Sequence, residues 1–216
     1  MDLAPELCHF HRMNKEIGSL TDGEGREKYL SGDEIPRFLD GCNLHRPQPR
    51  TYCLTLYYTG ARRAEALALR RRDIDIAKNR VSILTLKQRK PKDKDGKLIK
   101  PLKPPKLIWR RVPVPPEYIQ IMDLVFDLKR GDVNERLWKV TERQATRWVK
   151  AVMEKAGVPH HSPHTLRHTF GIKAAMRGVP LPTIQKWLGH SHTTTTAIYT
   201  TAGGEEEDEL MLRMWK

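Results

Sequence analysis

Cysteine is scarce in this chain: Cys8, Cys42 and Cys53 are the only three in 216 residues, and no two of them form a C-x-x-C pair. An odd count without paired spacing excludes a disulfide framework and a cysteine-built zinc ribbon, and fits reduced thiols in a cytosolic setting. Long apolar runs are missing too; none approaches the ~20 residues that span a bilayer as a helix. The first residues, with Asp2, Glu6 and His9, lack the layout of a signal peptide. There is no internal repeat. Acidic residues are in deficit, 26 against 39 Lys and Arg, which leaves a net charge of +13 and a pI near 9.8. Five of those acids stand together at Glu205 to Glu209, so the rest of the chain is more basic still. A body of that charge favours a polyanion, and nucleic acid is the usual one. Composition alone leaves a merely soluble basic protein equally open. At 38% hydrophobic residues the chain can build a core, which excludes a disordered chain.

What is present is concentrated between Ser162 and Tyr199. Ser162 and Pro163 read as an N-cap and a first helical residue, and Gly178 as the stop, so His164, Arg167 and His168 share one helix. A spacing of three places His164 and Arg167 on the same face. After a proline-flanked turn, Val179 to Pro182, a short helix from Thr183 to Leu188 ends at Gly189 and delivers His190 at its C-terminal edge. Tyr199 follows on another short helical segment. Farther upstream, Gly60 stops an apolar helix and sets Arg62 at the start of the next, where backbone N–H groups and a guanidinium face the same anion.

His164-x-x-Arg167, then Leu188-Gly189-His190, then Tyr199 nine positions later resembles the C-terminal signature of the tyrosine recombinases, the phage integrase family. The stretch Thr59 to Leu67, TGARRAEAL, resembles the family's first arginine motif, with Arg62 in the catalytic place. The resemblance implies a six-residue catalytic set. Arg62 and Arg167 fork onto the non-bridging oxygens of a DNA phosphodiester, His164 and His190 complete the cradle, and Tyr199 attacks phosphorus to form a 3′-phosphotyrosine. His164 is placed to take the tyrosine proton and His190 to donate to the phosphate. A lysine at the root of a β-hairpin protonates the departing 5′-oxygen. Lys87, 25 positions after Arg62, suits that place, with Lys90 and Lys92 as competitors. The reaction needs neither metal nor nucleotide cofactor. His164 and His168 at i, i+4 could share a zinc, but the acid of H-E-x-x-H is absent and no third ligand is evident. Glu65 reads as a buttress, Arg63, Arg89, Lys90 and Lys92 as DNA contacts, His168 as a buried hydrogen-bonding residue, and His160, His161 and His192 as lying near DNA or solvent. The implied partners are double-stranded DNA and three further copies of the chain in a homotetramer that exchanges C-terminal tails. The implied setting is the cytoplasm and nucleoid of a prokaryote or phage host. A type IB topoisomerase and a DNA-binding regulator without catalysis remain as alternatives.

The expected fold is α+β, mainly helical, with a small three-stranded antiparallel sheet: the tyrosine recombinase catalytic fold. A helix starts beyond the N-cap Asp33, with Ile35, Phe38, Leu39 and Cys42 as its inner stripe. A loop over Asn43 to Arg50 precedes a core helix ending at Gly60. Short strands are expected at Asp73 to Ile76 and Val81 to Leu86, and a returning strand at Leu107 to Val114. Between them Lys87 to Arg111 holds eleven Lys or Arg against Asp93 and Asp95, which reads as an extended basic hairpin. Helices follow at Pro116 to Lys129 and, from a capping box at Thr141 and Gln144, to Gly157. Residues 1–28 are expected to form a linker or arm, 29–202 one catalytic domain, and 203–216 a tail whose Met211, Met214 and Trp215 make a small apolar face. An arm of that length is too short for the helical DNA-clamping domain that family members usually carry, so the chain reads as a minimal recombinase or a catalytic fragment.

Overall fold

The computed structural model describes residues 20–21, 24, 26–86, 107–159, 161–190 and 194–200. Its elements run α1 (Glu34–Asn43), α2 (Pro47–Thr59), α3 (Arg63–Leu67), a 3₁₀ turn (Arg71–Asp73), β1 (Ile74–Asp75), β2 (Arg80–Leu84), β3 (Trp109–Pro113), α4 (Pro116–Phe126), α5 (Glu142–Lys155), α6 (Pro163–Met176), α7 (Leu181–Leu188), α8 (Thr194–Ala197) and a 3₁₀ turn (Ile198–Thr200).

Helix α2 is the axle. It is buried on nearly all sides, from Thr51 through Thr59, and packs against α1, α4, α5 and α6. A helix surrounded by other helices must hide its polar groups, and this one does so by back-bonding. The Thr51, Thr55 and Thr59 hydroxyls donate to the carbonyls of Pro47, Thr51 and Thr55 at 2.8, 2.8 and 2.6 Å. The Thr51 hydroxyl also accepts from the Trp138 indole at 3.2 Å, and Thr55 meets the Tyr118 hydroxyl at 2.7 Å. The helix starts four residues before the apolar segment that marks it in the sequence, because Pro47 and Pro49 fall in its first turn, where a missing N–H costs nothing. The same effect extends α7 back to Leu181, with Pro182 inside its first turn. At the other extreme α4 stops at Phe126, three residues early, where Asp127 turns left-handed at φ 45°.

The sheet has the order β1-β2-β3, antiparallel throughout, with Val81 opposite Val112 and Ile83 opposite Arg110. Val81, Ile83, Arg110 and Val112 all face inward. Two hydrophobic clusters result. The larger joins α1 through α6 and the sheet. The smaller holds Leu20, Tyr29, Ile172, Ile184, Leu188, Ile198 and Tyr199, so Leu20, from the stretch expected to be an arm, packs with the far C-terminal elements. Among the described residues no helix is long and apolar enough to cross a membrane.

Candidate active site

Three helix ends meet at one place. Gly60 closes α2 in the left-handed region at φ 59°, and a Cβ there would come 2.6 Å from Leu188 Cδ2 and 2.8 Å from Phe170 Cδ1. Only glycine satisfies both the angle and the approach. Arg62 is then the N-cap of α3. Its backbone N–H donates to Glu65 Oε2 at 2.9 Å and its Nη1 to Glu65 Oε1 at 3.0 Å, with the arginine side chain 23% exposed and the glutamate 1%. Burial works to raise the Glu65 pKa, but Arg110 and Arg62 outweigh it and hold the carboxyl below its ordinary value.

Arg167, on α6, is buried. Its Nη1 donates to the Gly60 carbonyl and its Nη2 to the Leu188 carbonyl, each at 2.6 Å, so one planar group ties the end of α2 to the end of α7. Burial first, then repulsion from Arg62, brings its pKa down to about 9, which leaves it charged at neutral pH. His164 is one turn nearer the N-terminus of α6 and exposed. A cleft of about 440 Å³ is lined by Arg62, Arg63, Glu65, Ser162, His164 and Arg167, among others.

Gly189 ends α7 at φ 66°, and His190 follows with its N–H on the Gln185 carbonyl at 3.1 Å. Its Nδ1 lies 3.0 Å from the Thr196 hydroxyl. Burial, with the positive charges of Arg167 and Arg62, lowers its pKa to about 3. The His190 ring stacks on Tyr199, centroids 6.4 Å apart and planes at 16°. Tyr199 is 3% exposed and sits over Gly171 of α6, where a Cβ would fall 2.4 Å from its Cζ. Burial raises its pKa; Arg167 and Arg62 pull the other way without cancelling the rise. The phenol is therefore neutral and stored against two imidazoles, His190 and, at 6.1 Å, His168.

Residues 28–206 match the sequence profile of the phage integrase family. The chain belongs to that family. It is 31% identical over 194 residues to a resolvase of Escherichia coli strain K12, covering 80% of this chain and 70% of that one. It is equally 31% identical, over 195 residues, to a protein of Caldanaerobacter subterraneus subsp. tengcongensis named tyrosine recombinase XerC-like, covering 79% of this chain and 49% of that one. The chain thus spans about half the length of the latter relative. The crystal structure of the XerH site-specific recombinase bound to its difH substrate, a pre-cleavage complex, matches with a TM-score of 0.62 at 18% identity, over 100% of this chain and 67% of that one. At that identity the likeness establishes the fold, the mainly helical tyrosine recombinase architecture with its small sheet. The names of these relatives agree with a site-specific recombinase and lend nothing to the topoisomerase or regulator alternatives.

In this integrase-family chain, then, Arg62, His164, Arg167, His190 and Tyr199 lie around the meeting point of α3, α6, α7 and the last 3₁₀ turn. Lys87, Arg89, Lys90 and Lys92 lie outside the described residues, as do His160, His192 and the tail. Arg63, expected as a DNA contact, is exposed and hydrogen-bonds Glu142 at 3.0 Å and Thr146 at 3.0 Å. Two histidines depart from expectation. His161 is buried, its Nε2 2.8 Å from Glu34 Oε2, which pins the start of α6 to the start of α1 rather than facing DNA or solvent. His168 has a buried Nδ1 with no hydrogen-bond partner, and burial together with His164 and Arg167 lowers its pKa to about 4. Among the described residues no three His, Cys, Asp or Glu side chains gather as a metal site.

Sequence reasoning missed two groups. One is Arg110, 3% exposed on the inner face of β3. Its signal was available: Val112 and Val114 mark the inward positions of that strand, and Arg110 falls in the same alternation, where a charge needs a partner. The other is the outer face of α5. Arg143, Arg147 and Lys150 line a shallow depression with Arg63 and Glu142, two residues it shares with the rim of the cleft. Their i, i+4, i+7 spacing was readable as one basic face.

Proposed function

We propose that the chain carries the catalytic domain of a site-specific DNA recombinase, which breaks and rejoins strands through a 3′-phosphotyrosine on Tyr199. One observation supports this above others. A tyrosine is held against His190 within electrostatic reach of two guanidinium groups, Arg62 and Arg167, beside a cleft that His164 also lines.

A phosphodiester resists attack because its non-bridging oxygens are negative and its leaving group is a poor alkoxide. Arg167 spends one N–H of each terminal nitrogen on carbonyls, which fixes its plane and leaves the remaining donors oriented for an oxygen. Arg62, held by Glu65 on one side, is only partly exposed. Such preorganised charge stabilises the pentacoordinate transition state without reorganising as the reaction proceeds. In the tautomer where His190 Nδ1 accepts from Thr196, Nε2 carries the hydrogen and donates to the phosphate. Because the Tyr199 phenol is neutral, its proton leaves as the bond to phosphorus forms, with His164 as acceptor. Lys87 gives a proton to the 5′-oxygen. Attack by a 5′-hydroxyl from a second duplex reverses the step and exchanges strands.

Double-stranded DNA fits the net charge of +13 and the basic face of α5 running beside the cleft. The XerH relative was crystallised on its DNA substrate. The working form is a tetramer on two duplexes in the nucleoid, each copy passing residues 203–216 to a neighbour. A test is to incubate the purified chain with duplexes carrying the sequences that flank its own gene, nicked so that cleavage is trapped. The expected result is a denaturation-resistant protein–DNA adduct on those duplexes and no relaxation of plasmids lacking them. Relaxation without a site, or no adduct on any flanking sequence, would overturn the proposal.

A further inference from the structure

Arg110 belongs to none of the motifs, yet no other arginine described is so deeply buried. It sits at an inward strand position, 3% exposed, and spends its guanidinium in three directions. Nε donates to the Trp187 carbonyl at 2.7 Å, Nη1 to the Thr85 hydroxyl at 3.1 Å and Nη2 to Glu65 Oε2 at 2.6 Å. Each partner lies on a different arm of the site. Glu65 is the carboxylate that holds Arg62. Trp187 belongs to the last turn of α7, three residues before His190, and its carbonyl is one of those a helix leaves unsatisfied at its C-terminus. Thr85 follows β2 and is two residues short of Lys87 in sequence.

We infer that Arg110 is a positioning residue for the strand-cleavage reaction: it locks the Glu65–Arg62 pair, the His190 turn and the root of the hairpin into one frame. The inference rests on the functional reading above and deepens it. Three features argue that the role is geometric. A buried cation needs a single carboxylate for charge balance, and Glu65 supplies it; the two further bonds add direction. A planar fork makes all three bonds in one orientation, which an ammonium on a flexible stem does not. The surroundings are also cut to its shape. Gly189 gives α7 its left-handed end, and a Cβ on that glycine would stand 3.1 Å from Arg110 Nη1 and 3.1 Å from Thr85 Oγ1. The Leu188-Gly189-His190 turn therefore closes onto Arg110 on one side as it closes onto Arg167, through the Leu188 carbonyl, on the other. Sub-ångström displacement of a charge-stabilising group costs rate far more than it costs binding, because only the transition state depends on that placement.

The test uses the full chain as Arg110→Lys, with wild type and Tyr199→Phe alongside, on nicked duplexes with an ordinary phosphate or a methylphosphonate at the scissile position. The methylphosphonate lacks one negative oxygen, so its cleavage depends less on how Arg62 is placed. Arg110→Lys should keep single-site DNA affinity within about threefold and lose on the order of 10²-fold in adduct formation on phosphate. The loss should be at least about tenfold smaller on methylphosphonate. A general weakening of the fold would slow both substrates alike, and that result, or an unchanged rate, would overturn the inference. If Arg110→Lys fails to fold, Arg110→Met, which leaves Glu65 paired with Arg62, read in the same way, decides. Absence of a Tyr199-dependent adduct in the wild type would instead sink the functional reading itself.

Discussion

Arg167 gathers more of the site than any other single motif residue. Its two carbonyl bonds hold α2, α6 and α7 together, and its remaining donors are what a phosphate would meet. Arg167→Lys should lower cleavage on the order of 10²-fold or more, because a point charge cannot reproduce the fork. Single-turnover adduct formation measures this, and near-normal cleavage would show that the cradle is built differently. His190 and His168 make a prediction about pH. Their pKa values, about 3 and about 4, lie below the ~6.5 of an unfolded histidine, so between those limits the unfolded chain binds protons that the folded chain does not. Stability contributed by the neutral rings is complete above pH ~6.5 and is lost as pH falls toward 4. The depressed Glu65 adds to the loss in the same direction at lower pH. Thermal melts should fall over that window, and the fall should shrink in His168→Gln. An equally steep fall in the variant would mean that this ring does not titrate as placed.

Among the elements, α6 bears the sharpest constraint. Gly171 lies inside it, and by helix propensity alone alanine there would add about 1 kcal/mol of stability. The Tyr199 ring occupies the space that Cβ would need, at 2.4 Å from Cζ. Gly171→Ala should therefore push the phenol aside and slow adduct formation at least about tenfold, whatever it does to melting; an unchanged rate would separate the ring's storage site from its reactive position. Element boundaries explain where sequence legibility ended. Thr141 as the N-cap of α5 was readable because capping chemistry is local, its hydroxyl accepting from the Gln144 N–H; Asp33 stands at the expected place before α1 without a side-chain cap bond. The early start of α2 was hidden by Pro47 and Pro49, which read as loop residues until the first turn is seen to tolerate them. Motif residues on helix ends were legible in type and spacing. The burial of Arg110 was open to reading from the strand alternation, but its role was not, because that depends on Glu65, 45 residues earlier, and on a carbonyl 77 residues later. The pairing of His161 with Glu34, 127 residues apart, was beyond local reading for the same reason.

At the scale of the whole molecule, charge and chemistry face the same way. Arg143, Arg147 and Lys150 on α5 extend the basic rim of the cleft, and replacing all three with alanine should flatten the dependence of log affinity on log salt by roughly 2 to 3 units. Fluorescence titrations on duplex DNA at several salt concentrations would read it, and an unchanged slope would place the DNA elsewhere. The central claim is that Tyr199 becomes covalently joined to a DNA 3′-phosphate. The most direct measurement is peptide mass spectrometry of the nuclease-trimmed adduct, made with wild type and with Tyr199→Phe. The account predicts one modified peptide, carrying nucleotide on Tyr199 through a 3′-phosphate, and no adduct in the variant that still binds DNA. Modification at another residue, linkage to a 5′-phosphate, or an adduct of undiminished yield from Tyr199→Phe would contradict it.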